Sequence, residues 1–156
     1  MKTDDDAIQI ALTAVADWAD KEGPLLPVLH QVQERIGHVP DSVVPEIARA
    51  LNLSRAEVHG VVTYYHHFRS EPAGRCVVQV CRAEACQSMG ADALLAHARW
   101  RGVCTERNPT SADGRYTVEP VYCLGLCASS PAAMVNGAPH ARLSARHLDQ
   151  LMDAQA

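Results

Sequence analysis

A chain of 156 residues buries roughly two-thirds of its unfolded surface on folding, so it needs neither metal nor disulfide merely to hold a fold. Eighteen acidic residues against fourteen basic ones leave a formal charge of −4, and no Lys/Arg run offers the electrostatic footprint of a nucleic-acid binder. Three consecutive aspartates, Asp4 to Asp6, stand where a secretory signal carries positive charge, and no stretch approaches about 18 uninterrupted apolar residues; a cytoplasmic protein without membrane insertion is expected.

The first seventy residues predict four short helices. The first begins near Asp4, whose acidic neighbours suit a helix N-terminus, and aligns Ile8, Ala11, Leu12, Val15 and Trp18 as its apolar stripe. A second covers residues 25–36, with Leu25, Leu29, Val32 and Ile36 at helical spacing, Pro27 in its first turn and Gly37 placed to end it in a left-handed conformation. A third runs from about Asp41 to Leu51 on Val44, Ile47, Ala48 and Leu51. The fourth starts with a capping box, Ser54 and Glu57, in which two side chains satisfy otherwise orphaned backbone donors. Its apolar face is Val58, Val61, Val62 and Tyr65, with Phe68 folding back onto it. Helices this short are not stable alone, so their stripes must bury against one another or a partner.

Past Glu71-Pro72-Ala73-Gly74 the pattern changes. Residues 75–81 are β-branched and partly alternating, which predicts a strand, and a helix follows over residues 90–99 with Leu94, Leu95 and Ala98 inward. Cys104 is expected to begin or precede another strand. Asp113-Gly114 marks a turn before a strand over residues 116–121, and residues 132–135 pair in a hairpin with the segment after Asn136-Gly137. Ser144 then caps a last helix with Leu148 and Leu151 inward. The order β-α-β-β-α predicts an α/β domain at residues 72–156, behind a helical bundle at residues 1–71.

The cysteines carry the chemistry. Cys81-x4-Cys86 is followed, after 36 residues, by Cys123-x3-Cys127. In a reducing compartment close local pairs point to metal or redox chemistry rather than disulfides. Each pair can leave a strand end and enter a tight loop, and four thiolates match the inventory of a [2Fe–2S] cluster, whose two tetrahedral irons each take two cysteines. Gly125 would permit the bend between Cys123 and Cys127, and loop N–H groups could bond to sulfur and tune its potential. A four-cysteine zinc site, in a structural assembly module without redox function, is the alternative, although zinc sites commonly space each pair by two residues. A thiol–disulfide enzyme would announce itself as Cys-x-x-Cys, which this sequence does not contain. Cys76 reads as a small buried hydrophobe, and neither it nor Cys104 is assigned as a ligand.

The blocks Val80-Cys81-Arg82-Ala83-Glu84-Ala85-Cys86 and Val121-Tyr122-Cys123-Leu124-Gly125-Leu126-Cys127, with Pro131 and Met134 after them and residues 113–119 ahead of the second, resemble the 24-kDa subunit family of respiratory NADH dehydrogenase, the thioredoxin-like [2Fe–2S] ferredoxins. Residues 25–30, 53–58 and 60–65 are similar to the same family, and Tyr65, where many members carry phenylalanine, is a minor departure. The resemblance implies an N-terminal helical bundle, a thioredoxin-like domain and one [2Fe–2S] cluster on Cys81, Cys86, Cys123 and Cys127. It also implies docking against a flavin-bearing, NAD(H)-binding subunit. Within the family, Arg82-Ala83-Glu84-Ala85-Cys86-Gln87 looks most like the gamma subunit of soluble NAD-dependent formate dehydrogenases. That branch implies FMN, NAD and a molybdenum or tungsten cofactor in partner subunits, one of them formate-oxidising; the alternatives are the equivalent subunit of respiratory NADH:quinone oxidoreductase or of an NAD-linked hydrogenase.

Other residues predict no catalysis by this chain. Its eight histidines form no compact ligand motif, and no Gly-x-Gly-x-x-Gly offers a dinucleotide site, so NAD chemistry is expected in a partner. His66 and His67 are expected at the surface, Tyr65 in the core, Tyr64 against a partner, and Arg99-Trp100-Arg101 suits a protein-facing rim.

Overall fold

A computed structural model of the chain describes residues 3–155, which divide into two compact units between Pro72 and Ala73. Together they give the helical bundle and thioredoxin-like α/β arrangement expected from the sequence. Among the described residues no helix is long and apolar enough to cross a membrane.

The first unit holds four α-helices. Helix α1 (Asp4–Trp18) opens on a capping box that the sequence reading missed: Asp6 N–H donates to Thr3 Oγ1 at 3.2 Å and Thr3 N–H to Asp6 Oδ2 at 3.1 Å. Its buried face is Ala7, Ala11, Ala14 and Val15, whereas Leu12 is 37% exposed. Alanines carry little hydrophobic signal but let helices approach closely, so the face turns away from the larger Leu12. Helix α2 (Leu25–Ile36) buries Val28, Leu29 and Val32 and ends at Gly37, whose φ of 97° is the left-handed cap. The expected third helix starts late: Asp41–Val43 is a 3-10 turn and α3 is Val44–Ala50. Pro45 has no N–H to reach the Asp41 carbonyl, and Val44 N–H takes that acceptor instead, one residue early.

Helix α4 (Arg55–Tyr64) carries the capping box read from the sequence, with Ser54 N–H on Glu57 Oε2 at 2.8 Å and Glu57 N–H on Ser54 Oγ at 3.2 Å. The Ser54 hydroxyl, then its N–H, hold the Glu57 carboxyl below its ordinary range. Tyr65 is not core: it leaves the helix in an extended conformation and is 43% exposed. Phe68 does fold back and is buried. The turn that brings it there is clamped by Gln33 of α2, which donates to the His67 carbonyl at 2.8 Å and accepts the Arg69 N–H at 2.8 Å.

The second unit is a four-stranded sheet in the order β2-β1-β3-β4. Strand β1 (Cys76–Cys81) is followed by a short helix α5 (Glu84–Ser88), unforeseen in the sequence, and by α6 (Ala91–Gly102). Strand β2 (Tyr116–Val121) lies parallel to β1, while β3 (Ala133–Val135) runs antiparallel to β1 and forms a hairpin with β4 (Ala138–His140). Parallel neighbours need a crossover, which α6 supplies. Helix α7 (Ala145–Asp153) begins at Ser144, whose hydroxyl accepts the His147 N–H, and buries Leu148 and Met152 fully, with Leu151 half-buried beside them. Cys104 neither begins nor directly precedes a strand. Val103, at φ 55°, turns the chain out of α6, and before β2 only an isolated bridge from Thr110 to Thr117 forms.

Candidate functional site

The site is built where β1 and β2 end together. Register pairs Cys81 with Val121, so the segments leaving the two strands emerge side by side. Cys81 N–H bonds to the Ala132 carbonyl of the third strand's approach at 3.0 Å, and Arg82 N–H bonds to the Val121 carbonyl at 2.7 Å, extending the ladder one residue past the first ligand candidate. The Arg82 guanidinium then meets Asp92 at 2.8 Å and the Gln87 amide closes on the Arg82 carbonyl at 2.8 Å, which fixes the turn into α5. Cys86 lies within α5; it and Cys81 are each 2% exposed.

The second pair forms the rim. Cys123 and Gly125 both have φ of 75°, two left-handed residues within three positions, and Cys127 opens a 3-10 turn ending at Ser129. Cys123 and Cys127 are exposed, while Leu124 and Leu126 between them pack on the core. Behind the turn, Arg142 N–H bonds to the Ser129 carbonyl at 2.8 Å and Leu143 N–H to the Pro131 carbonyl at 3.0 Å. Ser130 joins the halves: its hydroxyl donates to the Cys127 carbonyl at 2.7 Å and lies 3.7 Å from Cys86 Sγ.

Cys81 and Cys127 each feel groups of both cysteine segments. Burial pushes the Cys81 thiol up, yet the Ala83 N–H, the Cys86 thiol and the Leu124 and Cys123 N–H groups together hold it below its ordinary value. The Cys127 thiol is pushed up, first by the charge of Cys123, then by its hydrogen bond, by burial, and by the charges of Cys86 and Cys81. Negative charge on Cys127 is therefore disfavoured by its cysteine neighbours. A cationic centre removes that penalty, so the donor set suits an iron–sulfur group or a soft metal ion. Among the described residues no three His, Cys, Asp or Glu side chains are grouped to hold a single metal ion. A binuclear cluster asks for a different arrangement, two thiolates at each of two irons.

Cys76 and Cys104 lie at the other end of the sheet. Cys76 pairs with Tyr116 at the start of β1, and Cys104 Sγ donates to the Gly102 carbonyl at 3.3 Å beside Tyr116. Burial raises both thiols, which keeps them neutral. Sequence reasoning passed over Ser130, because its relation to Cys86 spans 44 positions and leaves no local pattern.

Comparison with known proteins adds the family context. The family model described as thioredoxin-like [2Fe–2S] ferredoxin matches residues 11–156. The chain is similar to one of the NADH-quinone oxidoreductase subunits of Rhizobium meliloti (strain 1021), with 33% identity over 141 residues, covering 90% of this chain and 83% of the relative. It is also similar to the NADP-reducing hydrogenase subunit HndA of Solidesulfovibrio fructosivorans, 35% identical over 115 residues, or 74% of this chain and 67% of the relative. The fold is similar to part of a chain in the crystal structure of an NAD+-reducing [NiFe]-hydrogenase in the air-oxidized state, with TM-score 0.70 and 28% identity, over 83% of this chain but 22% of that one.

Proposed function

We propose, because the chain belongs to the thioredoxin-like [2Fe–2S] ferredoxin family, that Cys81, Cys86, Cys123 and Cys127 hold one [2Fe–2S] cluster and that the chain is an electron-transfer subunit of an NAD(H)-linked oxidoreductase assembly. The observation that carries this reading is the shared end of β1 and β2, where the register of Cys81 with Val121 brings the segments bearing two cysteine pairs far apart in sequence side by side.

When bound, the cluster supplies a centre that takes up and releases one electron at a time. This chain's residues do the rest. Burial of Cys81 and Cys86 keeps water from the inner pair, and the Ala83, Cys123 and Leu124 N–H groups offset negative charge on the Cys81 sulfur. Cys123 and Cys127 form the exposed edge across which a redox partner can approach. Met89, 60% exposed, and Tyr122, 69% exposed, flank the two ligand segments with apolar surface suited to a docked protein. The proposed partner is a flavin- and NAD(H)-binding subunit, and this chain turns over no substrate itself.

The relatives favour an assembly of the NADH:quinone oxidoreductase or NAD(P)-linked hydrogenase kind. The formate dehydrogenase reading, with its molybdenum or tungsten subunit, is supported by the resemblance at residues 82–87. Protein purified anaerobically from iron-replete cells should contain two irons and two acid-labile sulfides per chain, the inventory that four cysteines complete. Stoichiometric zinc without sulfide would make this an assembly module instead. Recovery of the native complex, assayed with NADH and quinone, hydrogen, and formate, then separates the branches.

A further inference from the structure

Resting on the cluster reading above, we propose that Ser130 is a positioning residue for the centre: its hydroxyl donates a hydrogen bond to the Cys86 sulfur once that sulfur is a ligand, and thereby raises the cluster's reduction potential.

The geometry is a three-member chain. Ser130 Oγ stands 3.7 Å from Cys86 Sγ and 2.7 Å from the Cys127 carbonyl oxygen, so one hydroxyl lies between the inner pair's second cysteine and the outer pair's second cysteine. With Cys86 as a thiol, the S–H donates to Ser130 Oγ and the Ser130 proton goes to the carbonyl. A ligand thiolate has no proton to give and can only accept. Serine has one proton to donate, so the Cys86 sulfur and the Cys127 carbonyl become competing acceptors.

Charge decides the competition. Hydrogen bonds to an ionised acceptor are roughly twice as strong as those between neutral groups. The Cys127 carbonyl belongs to an exposed residue, so water can replace the serine there, whereas Cys86 is buried and has no such access. Rotation about the Cβ–Oγ bond is all the switch requires. The backbone keeps the hydroxyl in place, since the carbonyls on either side of residue 130 are bonded, Ser129 to Arg142 N–H and Pro131 to Leu143 N–H. A donor to a ligand sulfur stabilises the reduced, more negative state more than the oxidised one, which moves the potential upward.

The test uses the full chain with its cluster in place. S130A should retain two irons and two sulfides, and its reduction potential, followed by dye-mediated titration and the spectrum of the reduced form, should lie below that of the wild type. S130T, which keeps the hydroxyl, should return it towards the wild-type value. An S130A protein with a full cluster and an unchanged potential overturns the proposal and leaves the cluster reading intact. A wild-type chain that binds no iron or sulfide overturns both. If S130A loses its cluster, S130G is titrated in its place. Loss of the cluster from both hydroxyl-free variants overturns the proposal as well, because the residue would then serve assembly of the centre rather than its potential.

Discussion

The backbone of Tyr116 occupies the space a side chain at Gly74 would need. A Cβ at Gly74 would stand 2.7 Å from the Tyr116 carbonyl carbon and 2.9 Å from its nitrogen, while Gly74 N–H donates to Thr117 Oγ1 at 2.7 Å. Strand β2 is thus pinned to the start of β1 by a contact that only glycine allows. Backbone cannot rotate aside as a side chain can, so G74A should cost about 1–3 kcal/mol as an overpacked site. Urea unfolding of the two proteins checks this; equal midpoints would mean that the strands do not approach so closely.

The six cysteines should separate into two classes on substitution. C81A, C86A, C123A and C127A should each lose most bound iron and sulfide, since each removes one of four anchors. C76S and C104S should keep the cluster, at a stability cost of about 1–3 kcal/mol where the new hydroxyl is unsatisfied. The cost should be smaller for C104S, because the Gly102 carbonyl is already placed to accept from that side chain. Iron and sulfide analysis beside thermal unfolding reads both effects.

Gly125 matters for its backbone and not for space. Among the described residues nothing lies within 4 Å of a Cβ placed there, yet its φ is 75°. G125A should therefore cost about 1–2 kcal/mol from the left-handed conformation alone. G125N should cost less, because asparagine tolerates that region. Cluster loss under mild chelation, ranked wild type, G125N, G125A from slowest to fastest, is the expected result.

Val103 is the converse case. A β-branched residue at φ 55° is strained, and at 82% exposure this one contributes little packing in return. V103G should stabilise the second unit by about 1 kcal/mol, since glycine adopts this helix-ending conformation without penalty. A melting temperature that falls in V103G would contradict the strain argument.

His38 should make stability fall on mild acidification. Burial lowers its pKa from the ordinary 6.5, against the opposing pull of Glu71, and its Nδ1 is buried with no hydrogen-bond partner among the described residues. The folded state then binds fewer protons than the unfolded state. The neutral imidazole is accommodated above 6.5, and stability is lost as pH drops from there towards the lowered value. Between about pH 7.5 and 5.5 the wild type should lose more stability than His38→Gln, by chemical unfolding at each pH. Parallel curves would remove His38 from that account.

Local signals wrote much of this protein directly. Helix α2 occupies the residues its spacing predicted, ended by Gly37, and the Ser54–Glu57 box starts α4, because caps and periodicity act within one or two turns of chain. Strand β2 and the hairpin after it likewise follow from β-branched runs and turn residues. The two cysteine pairs were legible as pairs for the same reason. Their meeting was not local: it depends on the parallel register of β1 and β2, which α6 and the Gly74 contact enforce across some forty positions. Packing also overruled the pattern where small residues or chain exits intervened, turning α1 onto its alanines, sending Tyr65 outward and placing Cys104 beside a helix end. The Ser130 hydroxyl reaches Cys86 only through the folded sheet, since hydrogen bonding acts over a few ångströms of space and residues 44 positions apart share no such neighbourhood until tertiary structure provides it.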